Sequence, residues 1–173
     1  KIKKILINRS IKRKDSKIIF VNPHMVKDLG LSEDKKVKVL PSAFDEEVFS
    51  NSHAKLKTNK IIYAGSITRF GKSRGIDSLI MGLSKLNNSD FQFVIASNDD
   101  LSTELKSLID SKDLNIEYHQ NLSRTALAEL YKSCTVGLLI NNNSEHAERF
   151  TSPLKYFEYI ASGLKVLASD SKS

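Results

Sequence analysis

The chain is poor in the features that mark several common classes of protein. Its single cysteine, Cys134, cannot form an internal disulfide, and no group of cysteines and histidines has the spacing of a zinc site. We therefore expect a reducing, cytoplasmic setting. The longest apolar runs, such as residues 136–140, are far shorter than the roughly 20 residues of a membrane-spanning helix, so an integral membrane protein is not expected.

Familiar catalytic and nucleotide-binding motifs are also missing. The glycines after residues 60–64 match neither the G-x-G-x-x-G fingerprint nor a Walker loop, which disfavours dinucleotide and P-loop binding. His146 has Glu145 and Glu148 nearby without the helical spacing of a zinc motif, so we interpret residues 141–151 as a solvated polar loop. No histidine has the partners of a Ser-His-Asp site. The isolated histidines, interpreted as structural or surface residues, are His24, His53 and His119.

Positive charge is concentrated at the start of the chain. The first thirty residues hold nine lysines and arginines against two aspartates, which accounts for the whole formal net charge of +7. Because the remaining residues are neutral overall, we expect no nucleic-acid partner. We favour a solvated face for this basic leading segment, and the alternative is peripheral contact with an anionic membrane surface or a phosphate-bearing acceptor.

The apolar runs predict an α/β fold. Short runs rich in β-branched residues alternate with stretches of helical periodicity, and each run is nearly all apolar, as in a parallel sheet covered on both faces. Right-handed crossovers then give a doubly wound, Rossmann-like domain. The predicted strands are residues 17–22, 36–40, 60–64, 91–97, 115–119, 136–140 and 166–169, and the predicted helices are residues 23–29, 76–86, 102–111, 123–133 and a last one that begins at Pro153.

This last helix is the most informative part of the sequence. Ser152 can cap it, Pro153 suits its first position, and Gly163 ends it. Its start lies at the sheet edge where α/β folds bind ligands, so the free N–H groups of Leu154 and Lys155 are predicted to face an anion. The face expected to pack inward consists of Leu154, Phe157, Ile160, Ala161 and Leu164.

A second candidate segment follows the strand predicted at residues 60–64. Residues 64–75 form a loop relieved by glycines that carries Arg69, Lys72 and Arg74 just ahead of a helix. Cations at this edge of a sheet can hold a diphosphate group. The alternative is a mobile loop in solvent.

Five sequence segments together point to one family. They are F-V-N-P-H-M-V-K-D-L-G at residues 20–30, K-V-K-V-L-P-S-A-F-D-E-E-V-F at 36–49, Y-A-G-S at 63–66, R-G-I-D at 74–77 and S-P-L-K-Y-F-E-Y-I-A-S-G at 152–163. As a set they resemble the group 1 family of GT-B glycosyltransferases, called GT4. The resemblance covers most of the chain.

The resemblance implies a binding site for a nucleoside-diphosphate sugar. Glu158 matches the second Glu of the family's E-x7-E motif, whose carboxylate binds the ribose hydroxyls. Arg74 stands where the family usually has a lysine that contacts the diphosphate, and Gly65 and Ser66 match its glycine-containing turn. The residues expected to complete the phosphate cradle are Ser152, Leu154 and Lys155.

Two positions depart from the family's pattern. The first Glu of E-x7-E corresponds to Phe150, so Glu148 is expected to take over its catalytic place. The arginine that often follows the turn glycine is Ser66, which leaves Arg69 or Lys72 to supply that cation.

The activity implied by the resemblance is glycosyl transfer. A retaining, metal-independent enzyme would move a sugar from its nucleoside diphosphate to the hydroxyl of an acceptor glycan or lipid-linked sugar, without a cofactor, in polysaccharide or glycoconjugate biosynthesis. The sequence has no Asp-x-Asp motif. The alternatives are a non-catalytic Rossmann-like nucleotide-binding module and a GT-B sugar-nucleotide epimerase.

The resemblance also suggests how the chain is divided. Residues 1–50 are interpreted as the basic leading segment, the end of an N-terminal domain and the crossover, residues 51–59 as a linker, and residues 60–173 as the donor-binding domain. The chain begins with Lys and ends just after a strand, so we expect a piece of a larger protein that lacks its N-terminal GT-B domain and is truncated at the C-terminus. Such a piece is expected not to catalyse transfer alone.

Overall fold

The computed structural model describes most of the chain. It covers Arg9, Arg13 and residues 15–31, 34–50, 58–69, 71–85, 90–112, 114–140 and 154–169, although not the side chains of Arg69 and Lys72. The described residues form two compact units, one with residues up to Ala43 and the other with residues from Phe44 onward. Most of the predicted linker, residues 51–59, lies outside the described residues, so the division predicted from the sequence stays a prediction.

The first unit is a strand, a helix and a second strand. Strands β1 (Ile18–Phe20) and β2 (Val37–Val39) pair in parallel, and helix α1 (Pro23–Asp28) connects them. The side chain of Asn22 caps α1 by accepting a hydrogen bond of 2.8 Å from the N–H of His24. This agrees with the elements predicted from residues 17–40.

The second unit contains a five-stranded parallel sheet. The strand order is β7-β6-β3-β8-β9. The chain adds β6 and β7 on one side of β3 and then crosses over to add β8 and β9 on the other side, as in a doubly wound fold. The fold class predicted from the sequence is therefore confirmed. The elements are β3 (Lys60–Ala64), β4 (Thr68–Arg69), β5 (Lys72–Ser73), α2 (Ile76–Leu83), β6 (Gln92–Ser97), α3 (Thr103–Ser111), β7 (Ile116–Gln120), α4 (Arg124–Lys132), β8 (Val136–Leu139), α5 (Leu154–Ala161) and β9 (Lys165–Ala168).

Side chains alternate between the two faces of this sheet, and helices cover both faces. On one face, α4 and α5 contribute Ala128, Tyr131 and Tyr159 to a cluster with Ile62, Ala64, Val94 and Ala96. On the other, α2 and α3 contribute Ile76, Ile80 and Leu105 to a cluster with Tyr63, Phe93 and Ile95. Burial on both faces explains why the central strands β3, β6 and β8 are almost wholly apolar.

Helix α5 is rotated relative to the sequence prediction. Leu154 and Ile160, both expected inside, are 43% and 50% exposed. Glu158 and Tyr159 are buried instead, because the Tyr159 ring packs over the backbone of Gly137 where no side chain intervenes. Leu164 is buried as expected, and Gly163 ends the helix with a positive φ of 71°.

One pair of strands was not predicted. Residues 64–75 were interpreted as a loop, but β4 and β5 form a short antiparallel hairpin within them, in which Arg69 pairs with Lys72. Two-residue strands of polar and charged residues leave no alternating pattern to detect. Within the described residues, no helix has both the length and the apolar character needed to cross a membrane.

Candidate functional site

A cleft of about 220 Å³ opens at the carboxyl ends of β3 and β6. In open α/β sheets this edge, beside the reversal of strand order, is where ligands bind. The described residues that line it come from the ends of these strands, from the approach to α4, from α4 itself and from α5. They are Ala64, Gly65, Ser66, Ala96, Ser97, Asn98, Leu122, Leu127 and Lys155.

Two hydrogen bonds hold the turn after β3 in place. The N–H of Gly65 donates to the carbonyl of Ala96 at 3.0 Å, which fixes the turn to β6. The hydroxyl of Tyr63 donates to the carbonyl of Ser66 at 2.5 Å. Burial raises the pKa of Tyr63, the guanidinium of Arg74 partly offsets that rise, and the carboxylate of Asp99 adds to it. The phenol therefore remains a neutral donor to the turn.

Asp99, which the sequence analysis did not single out, organises the same turn. Its Oδ2 accepts hydrogen bonds from the N–H groups of Ile67 at 2.7 Å and Thr68 at 2.9 Å, and from the Thr68 hydroxyl at 3.3 Å. Tyr118 donates its hydroxyl to the Asp99 carbonyl. The sequence contains a signal for this role of Asp99, because an aspartate follows a buried strand and lies opposite a turn that contains glycine. Short carboxylates readily accept hydrogen bonds from free backbone N–H groups.

Replacing Asp99 with alanine is expected to lower the free energy of unfolding by about 1–2 kcal/mol, because two backbone N–H groups lose a charged acceptor. Amide hydrogen exchange at Ile67 and Thr68 should accelerate. Urea denaturation and exchange measured by NMR would test both effects. Asp100→Ala is the matched control, since Asp100 accepts a hydrogen bond of 2.7 Å from the exposed side chain of Gln120. An equal effect from that variant would contradict the assigned role.

Arg74 sits between the hairpin and α2. Its backbone N–H donates a hydrogen bond of 2.9 Å to the carbonyl of Ile67. The next residue, Gly75, takes a φ of 90° as the N-cap of α2, a left-handed conformation that favours glycine. Arg69 and Lys72 pair through their backbones, while their side chains lie outside the described part of the chain. Of the three cations predicted from the sequence, the structure thus describes the side chain of Arg74 alone.

The carboxylate of Glu158 is buried, with 3% of the residue exposed. Its Oε2 accepts from the ammonium of Lys155 at 2.8 Å and from the hydroxyl of Tyr131 at 3.3 Å. Neither Glu158 nor Arg74 belongs to the described residues that line the cleft. Glu158 is instead hydrogen-bonded to Lys155, which does line the cleft.

A pair of tyrosines supports this carboxylate. The rings of Tyr131 and Tyr159 pack edge to face with centroids 5.1 Å apart. The hydroxyl of Tyr159 accepts from the N–H of Ala64 at 2.9 Å and donates to the carbonyl of Leu138 at 3.4 Å. Burial raises the pKa of both phenols far above the ordinary range, so both remain neutral donors. The pair thus connects Glu158 to the end of β3, where the cleft begins.

Of the other predicted site residues, Glu148 and Ser152 lie outside the described residues, and Leu154 is the first described residue of α5. Within the described residues, no group of three or more histidines, cysteines or acids could hold a metal ion. The structure therefore brings Gly65, Ser66 and Lys155 together at the cleft, with Glu158 behind them.

Three solved structures with a similar fold are longer than this chain. A glycosyltransferase from Rickettsia africae ESF-5 has 21% identity and a TM-score of 0.71, over 97% of this chain and 48% of that one. The sucrose-phosphate synthase of Thermosynechococcus elongatus has 16% identity and a TM-score of 0.65, over 98% and 44%. A mutant of S. aureus TarM, in complex with fondaparinux, alpha-GlcNAc-glycerol and UDP, has 17% identity and a TM-score of 0.64, over 99% and 33%. The chain spans less than half the length of each.

A match to a family model identifies the family of this chain. No curated protein matches the chain significantly. The model of the family described as glycosyl transferases group 1 matches residues 44–173, a range that contains the whole cleft and Glu158. Because this match covers most of the sequence, the chain belongs to the glycosyl transferases group 1 family.

Proposed function

We propose that the chain is the C-terminal, nucleotide-sugar-binding domain of a GT-B glycosyltransferase of the GT4 type. The observation that carries the proposal is the cleft at the carboxyl ends of β3 and β6, with a buried carboxylate directly behind its lysine. The cleft has both apolar and polar walls, as a nucleoside requires. The TarM structure of similar fold holds UDP.

In this proposal the diphosphate lies against the turn after β3. Gly65 allows close approach of the backbone, and Ser66 adds a hydroxyl. Arg74, with Arg69 or Lys72, supplies positive charge, since guanidinium and ammonium groups bind phosphate oxygens through charge-assisted hydrogen bonds. The N–H groups of Leu154 and Lys155 at the start of α5, with Ser152, complete the cradle.

The nucleoside would occupy the rest of the cleft. Ala96, Leu122 and Leu127 offer apolar contact to a base, and Ser97 and Asn98 offer polar groups at its edge. The ribose would lie near Lys155, where its hydroxyls reach the Glu158 carboxylate. A carboxylate suits this task because it accepts two hydroxyl donors and, when buried, forms stronger hydrogen bonds than in water.

The reaction we propose is transfer of the sugar to an acceptor hydroxyl with retention of configuration and without a metal ion. Negative charge builds up on the departing diphosphate, and the cations and helix N–H groups stabilise it. Glu148 would face the donor sugar. The acceptor is a glycan or lipid-linked sugar of polysaccharide or glycoconjugate biosynthesis. It would bind with the help of an N-terminal GT-B domain, so this chain alone should bind donor but transfer nothing.

We place the reaction in the cytoplasm, where the buried Cys134 would stay reduced.

A thermal-shift screen tests this proposal. UDP, GDP, ADP and their sugar conjugates are added to the purified chain, and at about 100 times the dissociation constant the best nucleotide should stabilise it by about 2.7 kcal/mol. That stabilisation corresponds to a rise in Tm of about 5–10 °C for a domain of this size. The absence of a shift with all three nucleotides, or an equal shift with inorganic pyrophosphate, would contradict a nucleotide site.

A further inference from the structure

We infer that the side-chain ammonium of Lys155 is a positioning group for ribose recognition, and that it fixes the Glu158 carboxylate in its ligand-binding orientation. The inference rests on the proposed function and assigns a new role within the same site. The sequence predicts a role for Lys155 only through its backbone N–H. The structure shows that its side chain occupies the boundary between the cleft and the buried acid.

The geometry places the lysine between ligand and carboxylate. Lys155 and Glu158 lie one turn apart on α5, with Nζ 2.8 Å from Oε2. The lysine side chain is 31% exposed and the glutamate side chain 4%. Lys155 lines the cleft and also contacts Glu158. We therefore expect a ribose that reaches this acid to lie beside the ammonium.

A second ion pair in the chain shows what is special about this one. Lys132 and Glu129 on α4 have the same spacing, a distance of 2.6 Å and a lysine side chain that is also 31% exposed. Their glutamate side chain, however, is 64% exposed. Exposed pairs contribute little to stability, whereas a buried carboxylate that loses its cation is strongly disfavoured. The lysine is therefore needed at Glu158 and dispensable at Glu129.

Among the contacts of the described residues, one oxygen of the Glu158 carboxylate is left for a ligand. Lys155 and Tyr131 both donate to Oε2, and neither contact uses Oε1. The ammonium lies 6.0 Å from the centre of the Tyr131 ring, so lysine and tyrosine hold the acid from adjacent sides. Without the ammonium, the carboxylate would lose a charge-assisted hydrogen bond that fixes its orientation, and Oε1 would become a poorer acceptor for ribose hydroxyls.

The test measures binding by isothermal titration calorimetry to the wild-type chain, Lys155→Met, Glu158→Gln, the double variant and Lys132→Met. The ligands are whichever of UDP, GDP and ADP binds best, its 2′-deoxy counterpart and the corresponding nucleoside. We expect wild type to prefer the ribonucleotide over the deoxynucleotide by about 10-fold and Lys155→Met to lose most of that preference. Lys155→Met should weaken binding of the nucleoside and the diphosphate by the same factor. The double variant should bind no worse than Glu158→Gln, and Lys132→Met should match wild type.

Several results would overturn the inference. A loss confined to the diphosphate would make Lys155 a phosphate contact, tighter binding by Lys155→Met would make it a competitor of the ribose, and additive losses in the double variant would separate it from Glu158. Should Lys155→Met be recovered unfolded, Lys155→Gln carries the same expectation, and an unchanged ribose preference there contradicts it. A wild type that binds ribo and deoxy forms equally overturns the inference alone, whereas a wild type that binds none of the three nucleotides overturns the proposed function as well.

Discussion

Replacing Gly137 with alanine is expected to lower the free energy of unfolding by about 2–3 kcal/mol, an overpacking cost. A Cβ at this position would lie 2.5 Å, 2.6 Å and 2.8 Å from three atoms of the Tyr159 ring. The ring cannot move away cheaply, because it packs against Tyr131 and its hydroxyl bonds the N–H of Ala64. The Tm should fall by about 5–10 °C.

The damage should extend to the cleft. A displaced Tyr159 releases the N–H of Ala64 and shifts the adjoining turn at Gly65 and Ser66, so nucleotide affinity is expected to fall along with stability. Gly82→Ala is the matched control. Apart from its two chain neighbours and the backbone of its own helix, no atom of the described residues lies within 4 Å of a Cβ built at Gly82, near the end of α2. Alanine there should therefore raise the free energy of unfolding by about 0.5 kcal/mol. Equal Tm values for the two variants would show that Tyr159 does not pack as described.

Replacing Glu158 with glutamine is expected to weaken binding of the preferred nucleoside diphosphate by about 30-fold, roughly 2 kcal/mol, the range of a hydrogen bond to a charged group. The amide keeps the size of the side chain but removes its charge and one acceptor oxygen. It also leaves the ammonium of Lys155 without its anion. Calorimetry with the nucleotide identified by thermal shift measures the effect directly.

The control for this variant is Glu129→Gln. Glu129 forms an equivalent pair with Lys132 on the exposed side of α4, so the change removes the same charge at a distance from the cleft. Its affinity should match wild type within experimental error. If both variants lost affinity equally, the effect would be one of net charge, and Glu158 would have no specific contact with the ribose.

Much of the fold could be predicted from the sequence because the central strands of the sheet are buried on both faces. The run Lys60–Ala64 was predicted with the bounds that the structure has, and Ser102 and Ser123 mark the starts of α3 and α4 as side-chain caps. Apolar runs bounded by capping residues are local signals, and right-handed crossovers then leave few arrangements of the sheet.

What the sequence could not provide depends on contacts between distant residues. The rotation of α5 follows from the fit of Tyr159 over Gly137, and a helical pattern of leucines and isoleucines does not encode it. Asp99 and Lys155 owe their roles to partners that are identified only once the strands and helices are assembled. Local motifs predicted that Glu158 and the turn glycine belong to the candidate site. They did not predict that the acid is buried behind a lysine.

An NMR titration of the ¹⁵N-labelled chain with the nucleoside diphosphate that stabilises it best tests whether the nucleotide binds at the carboxyl ends of β3 and β6. We expect the amide signals of Gly65, Ser66, Ser97 and Asn98 to shift as the nucleotide binds, while those of Lys60 and Thr135, where β3 and β8 begin at the opposite edge of the sheet, stay in place. Saturable shifts confined to Lys60, Thr135 and their neighbours would contradict it, because the ligand would then bind at the wrong edge of the sheet.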